Sequence, residues 1–285
     1  TNTTMYAWIT SCDLPTGTYT FGADGKMVGG SAEGEIVYVN DTYYYYENGV
    51  GVEKGLVYSD GAYYFSQYGG EVITNQSYYA WMTNCDLPKE WYEFGADGKM
   101  LQKIVERDGK YYYYENGKGV EKGLVYCDGA YYFTQYLGEV VTDQRYYVWM
   151  TSCDLPEEWY EFGADGKMLD GIVEKSDGLY YYENGRGVEY GLFEYDGGYY
   201  FSEYGGKLRT SEYFYAWVTS CDLPAGMYEF GADGKMLDGI VEKDGKYYYY
   251  ELGIGVEKGL VYVDGYYYFT MYGGELVVSQ DFYVY

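Results

Sequence analysis

The side chains with chemical potential in this chain are aromatic, carboxylate and thiol, and each kind recurs in register. Trp8, Trp81, Trp149 and Trp217 stand at one repeated position, and Trp91 and Trp159 at another, where two copies carry Thr18 and Met227 instead. Flat aromatic rings stack on sugars and attract cations over their faces. A recurring Trp and Tyr stripe on an acidic chain therefore points to a glycan or an ammonium ligand. The strictly recurring Trp residues suit packing better than specificity, and the variable pair, Trp91 and Trp159, is expected to face solvent, which leaves glycan contact there open. Tyrosine runs at Tyr43 to Tyr46, Tyr111 to Tyr114, Tyr180 to Tyr182 and Tyr247 to Tyr250 send alternate rings to opposite faces of a strand. Most of these rings are expected to pack between neighbouring elements, with Tyr44 and Tyr112 counted in the aromatic stripe.

Carboxylates recur at Asp24, Asp97, Asp165 and Asp233, and at Glu53, Glu121, Glu189 and Glu257. Calcium needs six to eight converging oxygens, and no Asp-x-Asp-x-Asp loop occurs. Asp-Gly in these segments reads as turn chemistry, so no metal site is assigned. A glycosidase needs one pair of carboxylates, whereas every candidate here comes as a fourfold set. The chain has no His, no phosphate loop and no zinc spacing. No catalytic residue and no cofactor are therefore assigned.

Cys12, Cys85, Cys153 and Cys221 are in register, and Cys127 is extra. Six strands between copies would separate the in-register thiols by about 29 Å, against a limit of ~7 Å between Cα atoms for a disulfide. They read as small buried apolar residues, while a local bond from Cys127 to Cys153 or Cys85, or one to another chain, stays open. Sequons at Asn2, Asn40 and Asn75 offer N-glycosylation in a secreted chain.

These residues are positioned by a tandem array. YAWITSCDLP at Tyr6 returns at Tyr79, Tyr147 and Tyr215, and FGADGKM follows each time. The repeats divide the chain into 1–76, 77–144, 145–212 and 213–280, with 281–285 opening a fifth copy whose Trp position holds Tyr285. Asp-Gly and Asn-Gly pairs cut each copy into three β-hairpins, because type I′ turns need positive φ at both central residues. With 47 Tyr, 42 Gly and 4 Pro, the composition describes short aromatic strands punctuated by turns.

The net charge of −26 excludes nucleic acid and disfavours an anionic membrane surface. No apolar run is long enough to insert in a bilayer.

The third hairpin carries a family resemblance. Gly55 to Val72 reads GLVYSDGAYYFSQYGGEV, which resembles the choline-binding and glucan-binding repeats of bacterial surface proteins and the repeats of clostridial toxin tails. Gly55, Gly61, Gly70, Tyr64 and Phe65 fall on that pattern, whereas its two Trp positions are Leu56 and Tyr63 and its Met position is Val72. The resemblance implies an all-β hairpin solenoid with about one superhelical turn per repeat. It implies also that Trp at those positions helps to build a choline cage, which this chain lacks.

Two functions follow. The first is an extracellular structural rod or filament that self-associates, head to tail through open β-ends or laterally through aromatic stripes. The second is a multivalent carbohydrate- or choline-binding module at the cell surface. The missing cage residues and the absence of a polar cap at either end favour the first.

Overall fold

In a computed structural model, which describes residues 3–30 and 33–278, the chain is built from β-hairpins. The sequon at Asn2 and the start of a fifth repeat at 281–285 lie outside the described residues. The described residues form twelve separate sheets of two or three strands, all paired antiparallel. Four one-turn 3-10 segments are the helical elements among them.

The second copy shows the plan. Gln76–Tyr79 pairs with Trp91–Phe94 across the wide loop that holds Cys-Asp-Leu-Pro. Lys103–Arg107 pairs with Lys110–Glu115, and the short strand Lys118–Gly119 adds to the same sheet. Gly123–Cys127 pairs with Ala130–Thr134, and the 3-10 turn Tyr136–Gly138 follows. The tight turns are those the dipeptides demand: Asp108 and Gly109 have φ of 52° and 76°, and Asn116 and Gly117 of 45° and 67°.

Two units divide the chain, Thr1–Thr142 with Val148–Glu157, and Asp143–Tyr147 with Glu158–Tyr285. Within each unit, successive hairpins are joined by isolated bridges and single backbone hydrogen bonds rather than by a shared sheet. In the first unit Tyr44 bridges to Glu71 and Leu56 to Thr83, and the Met100 N–H donates to the Tyr63 carbonyl at 2.8 Å. In the second, Tyr180 bridges to Lys207 and Leu192 to Thr219. Each unit is thus a β-hairpin solenoid segment in which a hairpin leans on its neighbour.

The core is a series of small clusters between consecutive hairpins. One gathers Leu56, Phe65, Ile73, Ala80, Tyr92, Phe94 and Met100, and its counterpart in the second unit gathers Leu192, Phe201, Ala216, Tyr228, Phe230 and Met236. Burying one such Leu or Phe stabilises the fold by about 1.5–3 kcal/mol. Ser66, Thr134, Ser202 and Thr270 are buried polar residues, and each hydroxyl accepts a backbone N–H, from Lys54, Lys122, Tyr190 and Lys258 at 2.7–2.9 Å. That bond removes the penalty a buried hydroxyl would otherwise carry.

The tyrosine runs cover both faces of their strands, as alternation requires. Tyr43 and Tyr45 pack with Val57, Tyr64 and Val72 on one face, while Tyr44 meets Tyr46 at 5.9 Å on the other. The last ring but one of each run donates its hydroxyl to the Glu two residues on: Tyr45 to Glu47, Tyr113 to Glu115, Tyr181 to Glu183 and Tyr249 to Glu251. Burial first, and then the adjacent carboxylate, push the Tyr45 and Tyr113 phenols up to about 12.

Candidate functional site

Trp81, Trp149 and Trp217 lie just beyond their strands, at the entrance to the wide loop. In the second unit this loop folds back over the preceding hairpin, where the Leu192 N–H donates to the Val218 carbonyl at 2.8 Å and the Ser220 N–H to the Leu192 carbonyl at 2.7 Å. Those two bonds hold the Trp217 indole in a T-shaped contact with Phe201, with ring centroids 5.3 Å apart at 63°, and 5.2 Å from Phe214. In the first unit Trp81 meets Phe65 at 6.0 Å and Trp149 meets Phe133 at 5.9 Å. Each indole packs against a Phe ring and is left about half exposed.

That differs from the packing role expected of the recurring Trp: Trp81, Trp149 and Trp217 are 45%, 46% and 54% exposed. The physical reason is position, because a residue beyond the strand end is not sandwiched between hairpins.

Around Trp217 the fold leaves a cleft of about 340 Å³. Phe201, Tyr204 and Trp217 supply its aromatic walls, and Glu189, Glu203 and Lys207 its charges. Tyr204 stands in the turn Tyr204–Gly206, where Gly205 at φ 75° reverses the chain, so the ring projects outward with 90% exposure. Tyr68, Tyr136 and Tyr272 stand out in the same way. A second cleft in this unit, of about 440 Å³, is lined by Arg145, Glu158, Trp159 and Arg186, and it shares Glu189 and Tyr204 with the first. The two clefts therefore flank one tyrosine.

Trp159 and its counterpart Trp91 begin their strands and are 50% and 63% exposed. Trp159 rests on Tyr147 at 5.5 Å and carries the Arg145 guanidinium over its ring at 5.3 Å, while Trp91 rests on Tyr79 at 5.8 Å. Trp8, 71% exposed, stands apart and forms an open apolar surface with Met5, Tyr6, Ile9 and Phe21. Tyr44 and Tyr112, placed in the stripe by sequence, are half-buried against Tyr46 and Tyr114. Tyr112 lines a separate cleft with Glu93, Arg107 and Leu137.

The charges of the Trp159 and Trp217 clefts are largely paired. Glu158 binds Arg186 at 3.0 Å, Glu161 binds Lys175, Glu203 binds Arg209, and Lys207 reaches Asp177 at 3.2 Å. Glu189 is exposed and has no partner among the described residues. The recurring Asp residues of GADGKM serve turns, since Asp24, Asp97, Asp165 and Asp233 each accept the N–H of the lysine two residues on at 3.1 Å.

All five thiols are free in this structure, with Cys12 exposed, Cys85, Cys153 and Cys221 half-buried and Cys127 buried. Cys127 is buried with Val125, Tyr132 and Val140, whereas Cys153 neighbours Tyr131, which alternation puts on the other face of that hairpin. Cys127 and Cys153 thus look in opposite directions. Asn40 and Asn75 are both exposed, at positive-φ positions of 49° and 48°.

No family model matches the chain. Glucosyltransferase-S of Streptococcus mutans is 26% identical over 243 residues, which make up 81% of this chain and 15% of that protein. The repeats resemble choline- and glucan-binding repeats. Among solved structures, choline binding protein F from Streptococcus pneumoniae is 20% identical, over 88% of this chain and 94% of its own, with a TM-score of 0.32. The choline-binding domain of CbpL from Streptococcus pneumoniae is 22% identical, over 67% of this chain and all of its own, also with a TM-score of 0.32. The chain spans nearly the full length of these two and a small part of the glucosyltransferase. Leu56, Leu124 and Leu192, at a position where the resembled pattern carries Trp, are completely buried and serve the core in these three copies, whereas Leu260 at the same position of the fourth is 56% exposed.

Proposed function

We propose that this chain is a non-catalytic carbohydrate-binding array at the cell surface, with three weak sites, one at each of Trp81, Trp149 and Trp217. The observation that carries this is the threefold open indole, Trp81, Trp149 and Trp217, each propped on a Phe and exposed by about half. A flat, rigid, half-exposed ring beside polar side chains is what a sugar ring stacks on. Sequence similarity to a glucosyltransferase supports recognition of sugar over assembly into filaments. The buried Leu56, Leu124 and Leu192 count against a choline cage at the position where the family pattern would build one.

A single open site of this kind binds weakly, and linked copies gain affinity because the second contact is made at high effective concentration. The test is a glycan array followed by titration with the best oligosaccharide. Replacing all three residues, Trp81→Ala, Trp149→Ala and Trp217→Ala, lowers apparent affinity at least tenfold while the hairpin circular dichroism persists. Unchanged binding by the triple variant, or an array with no bound glycan, refutes the proposal.

A further inference from the structure

We infer that the sugar chain held in these clefts is a cationic one, a polymer of amino sugars with free ammonium groups, whose charge is received by Glu189 and its counterparts. This rests on the carbohydrate reading above and narrows it. Its basis is the shared wall of the two clefts in the second unit. Tyr204 and Glu189 belong to both the cleft of Trp217 and that of Trp159, so a linear ligand passing from one indole to the other crosses a ring that is 90% exposed, beside a carboxylate.

The charge of that carboxylate is uncommitted. Glu158, Glu161 and Glu203 are all neutralised by Arg186, Lys175 and Arg209, and Glu189 is not. The same position recurs as Glu53, Glu121 and Glu257, each of them exposed. In the second copy the flanking pair recurs too, as Glu90 with Lys118, again leaving Glu121 unpaired among the described residues. A free carboxylate accepts hydrogen bonds from the hydroxyl groups of a neutral glucan but pairs more strongly with an ammonium, and an anionic polymer is repelled by a chain of net charge −26. A polymer carrying one ammonium per sugar satisfies both the rings and the acid. Arg145 opposes this locally by covering Trp159, but it belongs to one copy, since Ser77 stands at its position beside Trp91.

The probes are a β-1,4-linked glucosamine hexamer, its N-acetylated equivalent, an isomalto-oligosaccharide of equal length, and choline, each titrated calorimetrically into the full chain at a pH where the amine is protonated. The glucosamine hexamer is expected to bind at least tenfold more tightly than its N-acetylated equivalent, and to weaken steeply with salt. The fourfold variant Glu53→Gln, Glu121→Gln, Glu189→Gln and Glu257→Gln alters exposed side chains only, and it is expected to remove that preference while keeping residual sugar stacking. Equal affinity for the amino and N-acetylated hexamers, preference for the neutral glucan, or an unchanged fourfold variant overturns this inference and leaves the carbohydrate reading standing. Choline bound as tightly as the hexamer overturns it as well. Binding of none of the oligosaccharides overturns both.

Discussion

Leu192→Ala and Leu260→Ala exchange the same residue of the same hairpin position, in the same unit, with opposite burial. Leu192 is fully buried in the cluster of Phe201, Ala216, Tyr228, Phe230 and Met236, and Leu260 is 56% exposed. Truncating the first removes three carbons from a closed core and leaves a cavity, a loss of about 3 kcal/mol within the usual range for buried Leu. Truncating the second removes atoms already mostly in water and costs about 1 kcal/mol. With a urea slope of roughly 1–3 kcal/mol per molar, the midpoint falls by about 1–3 M for Leu192→Ala and by a third of that for Leu260→Ala. Urea titration followed by far-ultraviolet circular dichroism measures both. Trp fluorescence adds a local readout, because Trp217 sits 5.3 Å from Phe201 in the damaged cluster. Equal midpoint shifts, or a larger one for Leu260→Ala, would show that packing between hairpins does not carry the stability.

Two further outcomes follow from the geometry. The Tyr45 and Tyr113 phenols are pushed up to about 12, so the folded chain holds their protons more tightly than the unfolded chain, whose tyrosines titrate near ~10. Their contribution to stability is full below about pH 10 and is lost as pH rises towards 12; combined tyrosinate absorbance and circular dichroism should show late ionisation coupled to unfolding, and simple titration of every tyrosine near 10 with the fold intact contradicts it. A Cβ on Gly119 would lie 2.0 Å from the Leu137 carbonyl oxygen, whereas one on Gly109, at φ 76°, meets nothing within 4 Å. Thermal melts are therefore expected to show Gly119→Ala costing ~2–3 kcal/mol as an overpacking change and Gly109→Ala about 1 kcal/mol as a left-handed strain alone; the reverse order would contradict the close approach.

Turn chemistry made the hairpins legible from sequence, because Asp-Gly and Asn-Gly specify their own backbone and need no partner. Asp108 with Gly109 and Asn116 with Gly117 behave as their types require. The exposure of the recurring Trp was not legible, since recurrence reports that a position matters without saying which side of the ring is covered. Only the return of the loop onto Leu192 reveals that the ring lies at the rim, half exposed. Ion pairing was hidden for a related reason: Lys110 with Glu139 and Lys246 with Glu275 become Asp177 with Lys207 in the third copy. The charge at the Glu139 position reverses to Lys207 while its partner moves one residue earlier, to Asp177, which keeps a contact and erases the pattern. The role of Glu189 had a signal in its fourfold recurrence, but its lack of a partner is a property of space.

Cross-bracing between hairpins is thin, a bridge or a single hydrogen bond at a time, and this bears on how the array carries mechanical load. Tension along the chain meets hairpins in series, and a force that pulls two strands apart at their open end breaks ladder bonds one after another instead of all together. Each hairpin that opens releases slack, about 40 Å for a dozen residues at ~3.4 Å each, and takes its side chains out of the clusters it shares with its neighbours. On the binding function proposed above, an array anchored through several clefts would yield under shear by paying out chain before any single cleft lets go.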